Sequence, residues 1–567
     1  GKRLFVNQWR VGRSYSDELD ESALEFRLAM IQPETQEMLT RDGIRLDADV
    51  YYPAVLEGDY PVLLMRQPYG RAIASTVVYA HPSWYALQGY IVVIQDVRGR
   101  GTSGGTFKLF ESEIEDGYDS VMWAANLPHS NGNVGMYGFS YQGMTQIYAM
   151  MHRPPALKAL CPAMLAHDLY EDWAYEGGVF RLQSNLSWAL QIAAEGARLG
   201  QDHPAFLALS QAAKQLPLSG EIPAYPDVLT TFAPDSFYHD WIGREVWDEY
   251  WSYPQMDLEE TENSYGVPPM LHIGGWFDPY FTGTLKLYDR YPNEAPQHLI
   301  IGPWAHLPWG RRAGSIDFGP DAVSDCDRAQ VRWFDYWLKG EGILGPAATW
   351  FEMGSNRWVS GDRFEDLAHQ SWQLETTGLT SVRDGRLVKQ DLPLSPTVPD
   401  VMVHDPWRPV PSLGGHAASP AGVFDRSHLD DRADVLTYTT EPLSEALLIQ
   451  GSAQIQLCFK TDSVSVDLHV VLSKVFPDGK VLNICQGVKK VIDTKVDRAC
   501  RIQLQPTSTQ VPMGNRLRVS VSLSNYPAYA MNSGTGKPLH QEPIMDYQII
   551  TVYIAEGEIF LPIGHSV

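Results

Sequence analysis

The sequence predicts an α/β body carrying a helical insertion, followed by an all-β sandwich. Three observations carry this reading. Over the first 340 residues, short apolar runs alternate with helix-compatible stretches. Residues 168–253 interrupt that rhythm with helix-like segments and no clear strand. Further on, side chains alternate apolar and polar, and all 17 tryptophans lie at or before Trp407.

The apolar runs are Pro61–Met65, Tyr90–Gln95, Val134–Tyr137, Pro269–Ile273 and His298–Ile301, most of them ending in Gly, Pro or a charged residue. Such runs suit strands buried on both faces of a parallel sheet. Glu111–Asn126 and Met144–His152 are the helix-like stretches between them, so the pattern is one of βαβ units. The insertion contains Asn185–Leu199 and Pro204–Gln215. In the last part, Ala453, Ile455, Leu457 and Phe459 alternate with polar neighbours, as do Leu517, Val519, Val521 and Leu523. Period-two alternation marks strands with one buried face, and Pro477-Asp478-Gly479 reads as a turn between two of them. Short strands and turns of this kind suit a β-sandwich or jelly roll.

At about 150 residues per domain, a chain of 567 residues leads one to expect three or four units. The expected division is an arm at 1–40, a body at 41–167 and 254–345, the insertion at 168–253 and the sandwich at 346–567. The arm holds the helix-like Glu18–Met30 and is the candidate contact for a homo-oligomer. The 44 basic and 68 acidic residues leave a net charge of −24. That balance argues against nucleic-acid binding and against docking on anionic membranes. Five scattered cysteines without a C-x-x-C pair suggest neither a zinc site nor a disulfide framework. No apolar run reaches the length of a membrane span. The expectation is a cytoplasmic protein; because the chain starts at Gly1, periplasmic or secreted locations stay open.

Three residues suggest chemistry. Ser140 sits in Gly138-Phe139-Ser140-Tyr141-Gln142-Gly143, after one apolar run and before a helix-like stretch. A serine at a sharp strand-to-helix turn projects its hydroxyl from the carboxyl end of the sheet. The helix that follows supplies backbone N–H groups for a developing oxyanion. Asp278 and His306 lie just beyond two later runs, where open α/β sheets place their ligand sites. Alone, each residue reads as a turn serine, a helix cap and a structural histidine. Together, the order Ser140, Asp278, His306 is that of the α/β-hydrolases. Gly99-Arg100-Gly101-Thr102-Ser103-Gly104 matches a dinucleotide fingerprint, but the following helix-like stretch opens with Glu111, Glu113, Glu115 and Asp116, which would repel a pyrophosphate. It reads as a loop that shapes the structure. No phosphate loop and no H-E-x-x-H pair occurs, so neither a metal nor a cofactor is expected.

The sequence resembles the group of serine hydrolases comprising cocaine esterase, α-amino-acid ester hydrolase and X-prolyl dipeptidyl peptidase. The resemblance runs from about Arg41 to near the C-terminus. It is carried by Arg41-Asp42-Gly43-Ile44-Arg45-Leu46, Arg66-Gln67-Pro68-Tyr69, Asp96-Val97-Arg98-Gly99-Arg100-Gly101, and Trp123 with Pro128. Gly135–Tyr141, Gly275-Trp276-Phe277-Asp278, Gly302-Pro303-Trp304-Ala305-His306 and Trp333–Gly340 follow. In the sandwich, Val475–Gly479 and Ser524-Asn525-Tyr526-Pro527 also match. The resemblance implies an α/β-hydrolase with a helical cap and a C-terminal jelly roll. It makes Ser140 the nucleophile, His306 the general base and Asp278 its orienting acid. The Tyr141 N–H and the Tyr69 hydroxyl become the oxyanion hole.

Two departures stand out. Gln142 occupies the place of the glycine two residues after the nucleophile in the broad elbow motif, with Gly143 third. Ala528 and Ala530 replace the Arg and Asp often found in the sandwich motif. Trp173, Tyr175, Phe180 and Trp188 of the insertion are expected pocket residues, as are Trp276, Phe277, Trp304 and Trp309 beside the triad. No acidic cluster for a substrate amino group stands out, so hydrolysis of a small-molecule ester is expected first. An amidase, acylase or X-prolyl-type peptidase with the same triad is the alternative. A binding protein with an inactive hydrolase domain is the non-enzymatic one.

Overall fold

The computed structural model describes residues 31–252, 266–291, 295–492 and 498–565. The helix-like Glu18–Met30 and the junction near 253 lie outside them.

The chain opens with an antiparallel pair, β1 (Glu34–Leu39) and β2 (Arg45–Tyr51), in which Glu34 faces Val50. Next come β3 (Tyr60–Gln67), α1 (Pro82–Leu87), β4 (Ile91–Asp96), α2 (Glu113–Ala125), β5 (Ser130–Phe139), α3 (Tyr141–Met150) and β6 (Leu157–Ala163). The insertion follows as a small hairpin, β7 (Tyr175–Glu176) and β8 (Val179–Phe180), and the helices α4 (Leu182–Leu199), α5 (His203–Lys214), α6 (Asp227–Phe232) and α7 (Phe237–Gly243). The chain then returns through β9 (Met270–Phe277), α8 (Phe281–Arg290), β10 (Gln297–Ala305), the hairpin β11 (Arg312–Ala313) and β12 (Ile316–Asp317), α9 (Cys326–Phe334), β13 (Ala348–Glu352) and β14 (Arg357–Gly361).

The strands form one sheet in the order β1-β2-β4-β3-β5-β6-β9-β10-β13-β14. The run from β4 to β13 is parallel throughout. Every residue of β4 and β9 is buried, as expected where helices cover both faces of a sheet. Because β5, β9 and β10 run in one direction, Ser140, Asp278 and His306 all emerge at the same end.

Sheet pairing crosses two of the expected boundaries. Sandwich residues were expected from 346, yet β13 pairs parallel with β10, placing Leu299 opposite Ala348, and β14 closes this edge. The alternation of a strand does not reveal which sheet it joins, so local pattern could not assign it. The arm was expected to end at 40, but β1 within it is an edge strand of the same sheet. The insertion, expected to lack strands, also contains the hairpin β7–β8.

The second sheet has twelve strands and closes into a near-complete β-sandwich. Strand Gln454–Thr461 pairs with the 16-residue strand Ile550–His565. Ser465–Val475 turns through Pro477–Gly479 into Val481–Ile492. Ile455, Leu457 and Phe459 are buried while Gln454, Gln456 and Cys458 are half-buried. Ser520, a polar neighbour of Val519 and Val521, is buried as well, and its hydroxyl is satisfied by donating to Asp430 at 2.9 Å. Among the described residues no helix is long and apolar enough to cross a membrane.

Candidate active site

Ser140 joins β5 to α3 at φ 61°, ψ −123°. A left-handed backbone at a non-glycine residue costs of the order of 1–3 kcal/mol and persists only where its surroundings impose it. Here they do. The Ser140 N–H donates to the Ala163 carbonyl at 2.9 Å, and the Ser140 carbonyl accepts from Gly143 at 2.9 Å and Met144 at 3.0 Å. A Cβ on Gly138 would lie 2.4 Å from that of Gln142, and one on Gly143 would lie 2.9 Å from the Ala163 carbonyl oxygen. Gln142 replaces a glycine without disturbing the turn because its amide oxygen accepts from the Phe139 N–H at 3.2 Å. Beneath it, Arg66 pairs with Glu113 at 2.5 Å, and Glu113 accepts from the Tyr141 hydroxyl at 3.0 Å. The Tyr141 side chain therefore points into the core. Its backbone N–H, the first of α3, has no acceptor four residues back within the helix.

Asp278 caps the end of β9 and is fully buried. Its Oδ1 lies 2.7 Å from Nδ1 of His306, which follows β10. An ionised carboxylate can only accept, so Nδ1 carries the proton and Nε2 is left as a base. The His306 ring lies between Phe139, at 5.3 Å, and Tyr280, at 5.1 Å. Phe139 directly precedes Ser140, so the histidine stands beside the serine turn. The His306 carbonyl accepts from the Trp309 indole at 2.9 Å.

From His306 an aromatic run extends into the insertion. Tyr280 packs on Trp173 at 4.4 Å, and Trp173 on Trp188 at 5.1 Å. The Trp188 indole N–H donates to the Tyr69 hydroxyl at 3.0 Å. That contact uses the Tyr69 oxygen as acceptor and leaves its proton to be donated. Burial pushes the Tyr69 hydroxyl up to about 12, so it stays a neutral donor near pH 7. Arg100, from the loop Gly99–Gly104, donates to the Pro68 carbonyl at 2.9 Å and to Ile192 of α4 at 3.2 Å, tying the Tyr69 turn to the insertion.

Several expected pocket residues are corrected. Tyr175 donates to the Trp241 carbonyl at 2.7 Å and packs on Phe180, which meets Tyr238; both belong to the insertion's own core. Trp276 donates to the Phe351 carbonyl at 2.8 Å and packs on Phe281 and Phe364. Phe277 lies in the same apolar cluster, between β9, β13 and the sandwich. Both side chains are taken up by this cluster. Trp304 stacks on Trp309 at 5.6 Å and donates to Ala322, so Trp304 is packing behind the histidine.

Three residues escaped the sequence reading. Tyr280, two after Asp278, was open to notice. Arg181 donates to the Pro279 carbonyl at 2.6 Å. Gln505, from the sandwich, donates its amide to the carbonyls of Trp276 and Asp278, each at 3.0 Å. Both act across long stretches of sequence and leave no local signal.

Comparison with known proteins agrees with this architecture. Residues 42–308 match the X-Pro dipeptidyl-peptidase (S15 family) model, and 344–551 match the X-Pro dipeptidyl-peptidase C-terminal non-catalytic domain. The fold and these matches define a serine hydrolase. The chain belongs to the X-Pro dipeptidyl-peptidase S15 family. It is 29% identical to cocaine esterase of Rhodococcus sp. (strain MB1 Bresler), over 89% of this chain and 92% of that one. It is 26% identical to a putative serine esterase of Mycobacterium bovis, over 80% of each. In fold it is similar to an aminopeptidase from a marine sediment Thaumarchaeota archaeon, with a TM-score of 0.78, 23% identity and 98% of both chains covered. An α-amino acid ester hydrolase gives 0.76 at 22% identity, over 94% of this chain and 97% of that one.

Proposed function

We propose that the protein hydrolyses carboxylic esters of small molecules through an acyl-Ser140 intermediate. The observation that carries this reading is the 2.7 Å contact of His306 Nδ1 with buried Asp278, with the ring held against Phe139 of the serine turn. His306 Nε2 takes the Ser140 proton as Oγ attacks the carbonyl carbon, and then passes it to the departing alcohol. Asp278 fixes the tautomer and stabilises the imidazolium. The oxyanion receives hydrogen bonds from the Tyr141 N–H and the Tyr69 hydroxyl. Water, activated by His306, then releases the acid.

Tyr280, Trp173 and Trp188 form the wall between His306 and Tyr69, which suits a flat or bulky apolar substituent. Ester cleavage is favoured over removal of amino-terminal residues by the state of two carboxylates in the insertion. Asp172 pairs with Lys286 at 2.7 Å and Glu176 with His416 at 2.7 Å, so both already hold a partner. The relatives described as esterases point the same way.

A fluorophosphonate probe tests the nucleophile: labelling is expected at Ser140 and absent from Ser140→Ala. Matched aryl esters and anilides test the bond cleaved. Faster anilide turnover would reverse the assignment to an amidase.

A further inference from the structure

A second cavity lies away from the serine, at the junction of the α/β sheet with the sandwich. It has a volume of about 120 Å³, and its apolar walls include Phe277, Phe318, Met353 and Ile484. The cationic group in its lining is Lys474, on strand Ser465–Val475. The Lys474 ammonium has three donors. It makes only two long contacts, to the Gln510 carbonyl at 3.4 Å and the Thr509 hydroxyl at 3.5 Å. Among the described residues no carboxylate lies within ion-pair distance of it. Burial lowers its pKa to about 8, with no neighbouring charge opposing the shift. An ammonium partly withdrawn from water beside apolar surface is stabilised by an accompanying anion. Lys474 is half-buried along this apolar lining, and the fold supplies no counter-charge to it among the described residues.

We infer that the cavity is a binding site for a short-chain monocarboxylate, its carboxylate on Lys474 Nζ and Thr509 Oγ1 and its tail against Phe277, Met353 and Ile484. Size and lining select this class. A dry apolar cavity of about 150 Å³ accommodates benzene, so this smaller space suits an acid of about four carbons. Inorganic phosphate or sulfate would leave the aromatic and aliphatic walls unused and most of its oxygens without donors. Phe277 immediately precedes Asp278, so the ligand sits behind the acid turn and bridges the two sheets. The inference does not rest on the esterase reading.

The test titrates butyrate into the full-length protein, with binding followed by calorimetry and by the melting temperature. Protein first blocked at Ser140 with a fluorophosphonate keeps any occupancy of the catalytic pocket out of the measurement. One saturable equivalent is expected, with a raised melting temperature. Lys474→Met keeps the stem and removes the charge; it is expected to weaken binding roughly ten- to hundredfold, the worth of a charge-assisted hydrogen bond. Ile484→Phe fills the cavity and leaves Lys474 in place, so it also should abolish binding; this second variant decides the matter if Lys474→Met fails to fold. Butylammonium, of the same shape and opposite charge, should not bind. Absence of saturable butyrate binding, unchanged affinity in either folded variant, or equal binding of butylammonium would each overturn the inference.

Discussion

The turn that carries Ser140 and the turn that carries Asp278 are built by opposite means. Around Ser140 the supporting contacts come from the sheet and the helices that cover it, between Arg66 and Ala163. They are the Ala163 carbonyl, the Gln142 amide and the Arg66–Glu113–Tyr141 chain. Around Asp278 the carbonyls are gripped from outside. Arg181 of the insertion holds Pro279, Gln505 of the sandwich holds Trp276 and Asp278, and the Trp276 indole reaches Phe351 of β13. The geometry of the Ser140 turn is thus a property of one stretch of the α/β domain, residues 66–163. The acid's geometry is a property of the assembled chain, and the C-terminal domain of a kind described as non-catalytic contributes to it.

Substitutions can break this contrast, beginning with the largest effects. Ser140→Ala removes the proposed nucleophile, and a loss on the order of 10⁶ in kcat is expected from comparable triads. The melting temperature should stay near that of the parent, since the Ser140 contacts given above are made by its backbone. Asp278→Asn should lower kcat on the order of 10⁴-fold, because an amide presented to Nδ1 stabilises the wrong tautomer. Steady-state kinetics alongside thermal melts check both. A Ser140→Ala protein with near-parent turnover would put the nucleophile elsewhere.

Tyr69→Phe comes next. It removes one proposed oxyanion donor and leaves the Trp188 indole without its acceptor, so a 10²- to 10³-fold loss in kcat is expected, with a smaller change in KM. If KM rises instead while kcat holds, Tyr69 is a pocket wall and the oxyanion is served elsewhere.

The same contrast explains what could be read from the sequence. Ser140 was legible because a strand, a glycine-flanked turn and a helix lie within about twenty consecutive residues, and each part has its own local signature. Asp278 and His306 were legible through order and position at strand ends. β13 was grouped with the sandwich because its five residues carry no sign of their partner, and only pairing with β10 shows that it joins the first sheet. Trp276 and Phe277 were misassigned because proximity to Asp278 in sequence does not say which distant residues a strand side chain packs against. Gln505 is 227 residues from the carbonyl it holds, and nothing about an isolated glutamine in a β-rich segment points to that distance.

Gln505 therefore gives the smallest and sharpest test of the comparison. Its side chain is buried, and replacing it with leucine leaves the Trp276 and Asp278 carbonyls without those donors. Leaving buried acceptors unpaired costs about 1–3 kcal/mol, so the melting temperature should fall. A purely structural role would end there. If the clasp aims Asp278, kcat should drop by about tenfold, the equivalent of roughly 1.4 kcal/mol lost from the transition state, while KM stays near its parent value. Fluorophosphonate labelling of Ser140 should slow in proportion, because it draws on the same His306–Asp278 pair. Gln142→Leu supplies the opposite arm: it removes the amide that braces the serine turn from within. Loss of kcat in both variants, with only Gln505→Leu weakening the attachment of the sandwich to limited proteolysis, would separate local from assembled support. A Gln505→Leu protein that is less stable but turns over at the parent rate would show that the acid turn holds its geometry without the sandwich.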